Sequence, residues 1–150
     1  MANLERNLVQ TVVGVRSFVP ARDFELSKRF YSDLGFSINH ADADVAEVSI
    51  GKFSFILQNK YDPRWAEFTA LHLYVKDLGA WWKHIDGLKL REKYGVKSSI
   101  APAMQKWGLS VSFVYDPSNV LWHVCECNAA CLTLMRMAGE LELTPAGCCE

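Results

Sequence analysis

The sequence has no cysteine before residue 125, no long hydrophobic run and almost no net charge. All five cysteines fall in the last 26 residues, which does not resemble a disulfide framework, so we expect free thiols. No apolar run approaches the roughly 20 residues that cross a bilayer, and the first residues do not read as a secretory signal. The formal charge of -1 argues against a nucleic-acid surface. We therefore expect a cytoplasmic protein with neither membrane nor nucleic-acid partners.

Several motifs that mark common cofactor and catalytic sites are also absent. The chain has no phosphate-binding loop, no dinucleotide fingerprint and no nucleophile elbow. Cys125, Cys127 and Cys131 do not have the spacing of a structural zinc site. What remains is a chain of 150 residues, 50% of them hydrophobic and 12% aromatic. That length is enough for one compact domain, which buries roughly 70% of its unfolded surface without help from a metal or a disulfide.

A stretch of about twenty residues occurs twice, at residues 15–34 and again at residues 71–88. Each copy contains an apolar strand, an Asp placed to cap a helix (Asp23 or Asp77) and a short amphipathic helix that ends in Leu eleven residues later. A solenoid needs at least three stacked copies, so two copies favour a pair of fused modules. We expect the functional site in a cleft between the modules.

The spacing predicts the elements of module one. A strand over residues 11–19 ends at Pro20, and a helix follows Asp23 and ends at Gly35. Two strands, Val45–Ile50 and Phe53–Gln58, are joined by the two-residue turn Gly51-Lys52. The buried face of the helix is predicted to carry Ser27, Phe30, Tyr31 and Leu34.

Module two repeats this plan after an irregular linker over residues 59–68. It has a longer insertion that includes residues 101–108, then closing strands over 109–115 and 120–126 joined by a turn at 116–119. After residue 127 the sequence changes character. The spacing of Cys131, Leu134, Met135 and Ala138 predicts a short tail helix before Gly139.

Three segments, residues 22–36, 75–77 and 116–123, resemble the vicinal oxygen chelate superfamily of glyoxalases, bleomycin-resistance proteins and extradiol dioxygenases. The resemblance covers about residues 12–127. It implies an α+β fold of two tandem βαβββ modules, whose curled mixed sheets surround a cleft, commonly in a homodimer. On this basis module one spans about residues 8–60, module two about 69–127, and a C-terminal tail follows over 128–150.

The resemblance also implies where metal-dependent members place their ligands. The corresponding first-strand positions are Arg16 and Ala70, neither of which can bind a divalent metal. The last-strand position of module two is His123, and that of module one is most nearly Gln58. His72 shares strand parity with Ala70 and is expected to face the same cavity. The only metal set that survives is Gln58, His72 and His123, which is irregular.

Other residues are candidates for contact with an organic ligand. Arg16 either clamps an acidic group of the ligand or points outward. Trp65 and Trp107 lie in segments predicted to be irregular, where indoles are available for stacking. His123 and Cys125 share strand parity, which is compatible with a base and a nucleophile on one face.

The leading hypothesis is a homodimeric protein of the bleomycin-resistance type that sequesters a partly apolar or aromatic small molecule, without a metal or other cofactor. Its ligand-binding residues are predicted to be Arg16, Gln58, Trp65, His72, Trp107 and His123. One alternative is a glyoxalase-like lyase, isomerase or dioxygenase with one divalent metal ion held by Gln58, His72 and His123. A second alternative is an interaction module that acts through its tail helix.

Overall fold

The computed structural model describes residues 8–129 and 131–133, which contain two βαβββ modules. No helix in these ranges is long and apolar enough to cross a lipid bilayer. Module one consists of β1 (Phe18–Pro20), α1 (Phe24–Leu34), β2 (Ser37–Asn39), β3 (Val45–Ile50) and β4 (Phe53–Gln58), and α2 (Pro63–Phe68) follows it. Module two consists of β5 (Ala70–Val75), α3 (Leu78–Leu88), α4 (Leu90–Tyr94), β6 (Ile100–Met104), β7 (Ser110–Tyr115) and β8 (Leu121–Glu126).

The repeat in the sequence is a repeat in topology. Each module has one four-stranded sheet, in the order β1-β4-β3-β2 in the first and β5-β8-β7-β6 in the second. In both sheets the first strand pairs with the last in parallel, and the other pairs are antiparallel. The predicted α+β fold of tandem βαβββ modules is therefore confirmed.

The two repeated helices begin at the same kind of cap. The Asp23 side chain accepts a hydrogen bond from the Leu26 amide (2.9 Å), and Asp77 accepts one from the Ala80 amide (2.8 Å). These bonds satisfy amides that the first helical turn leaves unpaired. Helix α1 ends at Gly35, whose φ of 114° is in the left-handed region. Its buried residues are Phe24, Ser27, Phe30, Tyr31 and Leu34, which confirms the predicted face.

The structure differs from the sequence-based prediction in three segments. The first strand covers only Phe18–Pro20, and residues 11–17 have no regular structure. The linker contains a short helix because Asp62 caps it and Pro63 occupies its first turn. The insertion of module two forms α4 and the edge strand β6. The hairpin at residues 45–58 has the predicted bounds, and the closing strands each begin one residue later than predicted.

The helix-facing sides of the two sheets meet in one hydrophobic core. Phe55 of sheet one lies 5.5 Å from Trp122 of sheet two, measured between ring centroids. Tyr31 on α1 contacts both rings. His84 on α3 adds a hydrogen bond between the modules, from its ring nitrogen to the Leu34 carbonyl oxygen (3.1 Å). Each sheet therefore has one face buried against the helices and an opposite face, called here its open face.

The predicted tail helix lies mostly outside the described residues. Residues 129 and 131–133 are helical, and Asn128 caps them by accepting a hydrogen bond from the Cys131 amide (3.0 Å). Leu134, Met135 and Ala138, on which the prediction also rested, are not among the residues that the structure describes.

Candidate functional site

Four rings lie in contact on the open face of sheet two. His72 and His123 are register partners on β5 and β8, and their rings stack with centroids 4.7 Å apart and planes at 21°. Phe113 on β7 meets His123 edge-on at 4.9 Å, and Tyr74 meets His72 at 5.6 Å. The Tyr74 hydroxyl lies 3.1 Å from His72 Nδ1. The prediction that His72 and His123 face the same way is confirmed. We call these four residues the ring surface.

Strand alternation and register together assemble the ring surface. On β5, His72 and Tyr74 are exposed, whereas Leu71 and Leu73 turn toward the core. The parallel register of β5 and β8 sets His72 beside His123. The antiparallel register of β7 and β8 then sets Phe113 on the other side of His123. The alternation of side chains along β5 is enough to identify Tyr74 as a neighbour of His72 on the same face. The position of Phe113 beside His123 could be found only from the register of the β7–β8 hairpin.

The imidazole of His123 is in an environment that disfavours its charge. Burial, and secondly the nearby His72, lower its pKa below the usual value for histidine. Its Nδ1 atom is buried and has no hydrogen-bond partner. A neutral imidazole presents one donor and one acceptor nitrogen, so one of these two groups of His123 is left without a partner inside the protein.

The ring surface does not form a metal site within the described part of the chain. The nitrogen lone pairs of an imidazole lie in the ring plane, so two stacked rings direct them side by side and not toward a common point. Gln58, the third member of the predicted metal set, lies on the other sheet. Within residues 8–129 and 131–133, no three His, Cys, Asp or Glu side chains are grouped so as to hold a metal ion. Structural and catalytic zinc sites take at least three protein ligands.

The parity of Cys125 and His123 does not produce a nucleophile and base pair. The Cys125 thiol donates to the backbone oxygen of His123 at 3.6 Å, not to the imidazole. The side chain is fully buried, and this burial raises the pKa of the thiol. Cys125, Cys127 and Cys131 are free thiols, as predicted, whereas Cys148 and Cys149 lie outside the described residues.

The open face of sheet one carries an amide side chain and an ion pair, whereas that of sheet two carries the ring surface. Gln58 and Ile56 lie on it, because Phe55 and Leu57 of the same strand are buried in the core. Arg16 reaches this face from residues that precede β1. Its guanidinium pairs with Glu47 on β3 at 3.0 Å, with 21% of the Glu47 side chain exposed. Arg16 is therefore held by a carboxylate of its own chain, a partner that the sequence did not reveal.

The two predicted tryptophans lie apart from the ring surface. Trp65 is half-buried on α2, a helix where the sequence predicted an irregular linker. Trp107 is 56% exposed in the turn between β6 and β7, where its predicted irregular setting is confirmed. In the described part of the chain, no ring contact joins either indole to His72 or His123.

A single chain thus places Arg16 and Gln58 on one open face and His72 and His123 on the other, so within the described residues these four do not meet in the expected cleft between the modules, where the hydrophobic core lies. Across the described ranges, no hydrogen bond, ion pair or ring contact links Arg16 or Gln58 to His72 or His123. Two concavities lie elsewhere. One of about 430 Å³ is lined by Arg91, Gly95, Val96, Lys97 and Ser98, and one of about 280 Å³ by Leu26, Arg29, Ser32, Asp33, Lys93 and Tyr94.

The sequence of this chain is similar to that of known proteins. The family model of the Glyoxalase/Bleomycin resistance protein/Dioxygenase superfamily matches residues 13–124. A bleomycin resistance protein from Klebsiella pneumoniae is 28% identical over 106 residues, which are 69% of this chain and 83% of that protein.

Solved structures share the fold. A bleomycin-binding protein crystallised with bleomycin is 24% identical, with a TM-score of 0.65 over 77% of this chain and 98% of that chain. A lactoylglutathione lyase from Agrobacterium tumefaciens is 14% identical, with a TM-score of 0.57 over 77% of this chain and 94% of that chain. At these identities the likeness establishes a common architecture and nothing finer.

Proposed function

Because the chain belongs to the glyoxalase/bleomycin resistance protein/dioxygenase superfamily, we propose that it binds a partly apolar or aromatic small molecule in the manner of a bleomycin resistance protein. In this mode the protein sequesters its ligand, and no bond is made or broken. The similarity to the Klebsiella pneumoniae protein supports this member of the superfamily over its enzymes.

The ring surface is the observation that carries the proposal. Its four rings span three adjacent strands, and His72 and Tyr74 are exposed to solvent. An aromatic ligand that stacks on such a surface gains about 0.5–1.5 kcal/mol for each ring pair, beyond the gain from buried area. The Tyr74 hydroxyl, which lies beside His72 Nδ1, supplies a polar contact of the kind that orients a ligand in an apolar site.

We further propose that a homodimer completes the binding cleft. In one chain His72 and Tyr74 on sheet two and the Arg16 side chain on sheet one remain exposed, although Val111 and Cys125 at one end of the open face of sheet two are buried. A second copy would bring the open face of one sheet over that of the other. Apolar residues before β1 support the dimer, since exposed apolar surface of this kind commonly marks an interface. They are Leu8, Val9, Val12, Val13 and Val15, and all five are exposed.

Isothermal titration with bleomycin and with a panel of smaller planar aromatic compounds tests the proposal. We expect at least one compound to bind and to raise the melting temperature, since a ligand at 100 times its Kd stabilises the folded state by about 2.7 kcal/mol. His72→Ala should weaken that binding about tenfold, which corresponds to about 1.4 kcal/mol. Phe68→Ala is the matched control, because Phe68 is 85% exposed on α2 and belongs to neither open face.

Variants of the two indoles test whether Trp65 of α2 and Trp107 of the β6–β7 turn contact the ligand. Trp107→Ala and Trp65→Ala are each expected to weaken binding by severalfold without lowering the melting temperature of the free protein by more than a few degrees. Failure of every compound to bind, or equal binding by His72→Ala, would contradict the proposal.

The metal-dependent alternative is tested separately. Protein purified without chelator is expected to contain no stoichiometric divalent metal, measured by mass spectrometry of the elements. A stoichiometric metal that is lost in His123→Ala would favour the lyase or dioxygenase alternative, with the missing donors supplied by a second copy.

A further inference from the structure

Two thiols at the end of sheet two lie in direct contact. The Sγ atoms of Cys127 and Cys131 are 2.8 Å apart, and both residues are free thiols. A disulfide has an S–S bond of about 2.0 Å, so the two sulfurs need to approach by less than about 1 Å to form one.

The backbone holds this pair together independently of the sulfurs. The Cys127 amide donates to the Val75 carbonyl at the end of β5 (2.7 Å). The Cys131 amide donates to the Asn128 side chain, and the Asn128 amide group in turn donates to the Gly108 carbonyl (3.4 Å). The backbone amides of Cys127 and Cys131 are therefore each held by a hydrogen bond.

The three described cysteines differ in access. Cys127 is partly exposed, Cys131 is buried at 6% exposure, and Cys125 is fully buried with its thiol directed to the His123 carbonyl. Burial and the hydrogen bond with Cys127 raise the pKa of the Cys131 thiol to about 11. An oxidant in solution thus reaches Cys127 first, and Cys131 lies next to it.

We propose that Cys127 and Cys131 form a reversible redox pair that closes to an intramolecular disulfide with a small-molecule disulfide oxidant such as glutathione disulfide. The Cys127 thiolate attacks one sulfur of the oxidant, which breaks its S–S bond and releases one glutathione thiol. Cys131 then loses its proton to solvent and attacks Cys127 Sγ, releasing the second glutathione thiol. The two cysteines lose two electrons and two protons, and the oxidant is reduced to two thiols.

The disulfide would tie residues 128–133 covalently to the end of β8. Tyr74 is the register partner of Cys125, two residues before Cys127, and burial, followed by the neighbouring cysteine sulfurs, raises the pKa of its hydroxyl. The Tyr74 hydroxyl in turn contacts His72 on the ring surface. The inference does not rest on ligand binding, although it places a redox-sensitive link beside the proposed site.

The test uses the full chain with Cys148 and Cys149 replaced by Ser, so that only the three described cysteines react. The protein is equilibrated in glutathione buffers of graded redox ratio, quenched in acid, alkylated and mapped by peptide mass spectrometry. We expect a single disulfide between Cys127 and Cys131, reversed by excess reduced glutathione, with Cys125 alkylated only after unfolding. Cys125→Ser should leave this disulfide unchanged.

Two further variants separate the roles of the sulfurs. Cys131→Ser should accumulate glutathione on Cys127, because no neighbouring thiol can displace it. Cys127→Ser should leave Cys131 largely as a thiol, because that side chain is buried. The proposal is overturned if Cys127 and Cys131 both remain alkylatable in the most oxidising buffer, or if Cys125 replaces either of them in the disulfide.

Discussion

At the scale of single residues, a buried polar cluster joins the two modules. The Tyr31 hydroxyl on α1 donates to Asp116 Oδ2 in module two (2.7 Å), and Trp122 Nε1 donates to the Tyr31 oxygen (3.1 Å). Asp116 Oδ1 accepts the amides of Ser118 and Val120 (2.8 and 2.9 Å). All of these polar groups are buried, so each needs its partner.

Replacement of Tyr31 with Phe removes one donor and one acceptor at a fully buried position. We expect Tyr31→Phe to lower the free energy of unfolding by about 2–3 kcal/mol, because Trp122 Nε1 and Asp116 each lose a partner. Chemical denaturation measures the change. Tyr115→Phe is the control: the Tyr115 hydroxyl makes no hydrogen bond to another described residue, and a change within about 0.5 kcal/mol is expected. Equal effects of the two variants would show that the network contributes little.

The same cluster predicts a pH dependence of stability. Burial raises the pKa of Asp116 from 3.8 to about 6. Below about pH 4 the carboxyl is protonated in both the folded and unfolded states, and its contribution to stability is fully present. Between about pH 4 and 6 only the folded state keeps the proton, so this contribution is lost as the pH rises through 6, by at most about 3 kcal/mol.

The variant Asp116→Asn isolates the contribution of Asp116 titration to the stability. An Asn side chain still accepts the two backbone amides and donates to the Tyr31 oxygen, but it does not titrate. The stability of the original protein relative to Asp116→Asn should therefore fall between about pH 4 and 7, as measured by urea denaturation at each pH. Asp33 and Asp42, whose pKa values are lowered, act in both proteins and cancel in the difference. A difference that stays constant with pH would place the pKa of Asp116 near its ordinary value.

At the scale of the elements, the two modules use the same capping chemistry but end their helices differently. Helix α1 ends at Gly35, whereas α3 ends at Lys89, a non-glycine residue with φ of 50°. Helix α4 follows at once and ends at Gly95 with φ of 67°. The connection between α3 and β6 therefore depends on two left-handed residues, Lys89 and Gly95, one at each end of α4.

The same substitution should have opposite effects at Gly87 in α3 and at Gly95 after α4. An added Cβ meets no atom within 4 Å at Gly87 or at Gly95, so only backbone preference changes. Gly87 lies within α3, and Gly87→Ala should stabilise the protein by about 0.5–1 kcal/mol. Gly95→Ala should destabilise it by about 1 kcal/mol, because its φ is positive.

Thermal denaturation of the two variants measures whether each one raises or lowers the stability of the protein. Gly95→Asn serves as the control, since asparagine tolerates the left-handed region better than alanine and should recover part of the loss. A stabilising effect of Gly95→Ala would mean that the end of α4 does not adopt this conformation in solution.

At the scale of the whole molecule, the two sheets enclose a shared core, and most of the ring surface stays accessible outside it, although Val111 and Cys125 at one end of the same face are buried. The helix-facing sides share one core, so the ring surface and the Arg16–Glu47 pair lie on faces that point away from it. A cleft of the family type then requires a second layer over these faces. This is the physical reason for expecting function in a dimer and not in a single chain.

Replacement of Val13 and Val15 by Asp tests that dimer. Both side chains are more than nine-tenths exposed, so the double variant should fold with little change in the stability of the single chain. Charge in an apolar interface is costly, and we expect light scattering to show a monomer where the original protein is a dimer. The variant with Ile at both positions keeps the apolar surface and should remain dimeric. A monomeric original protein at micromolar concentration would contradict the prediction.

The sequence predicted the elements whose causes are local. Asp23 and Gly35 were identified because capping and left-handed termination act over three or four residues. The Gly51-Lys52 turn gave the bounds of β3 and β4 for the same reason. The length of β1 was predicted wrongly: the strand begins only at Phe18, opposite Ile56, and the extent of pairing with a distant strand is not encoded in the local apolar pattern.

The site was predicted less completely. His72 and His123 were found from strand parity and from the family resemblance, and Tyr74 could have been found by the same parity. Phe113 and Glu47 could not, because their positions beside His123 and Arg16 depend on pairing between distant segments.

The sequence by itself determined the duplicated βαβββ plan and membership of the superfamily, because periodicity, caps and turns are properties of short segments. Only the tertiary structure decided that the helix-facing sides share a core, that Asp116 is buried against Tyr31, and that two histidines stack on an open face. These features arise from register and packing between residues far apart in the chain, which no local pattern encodes.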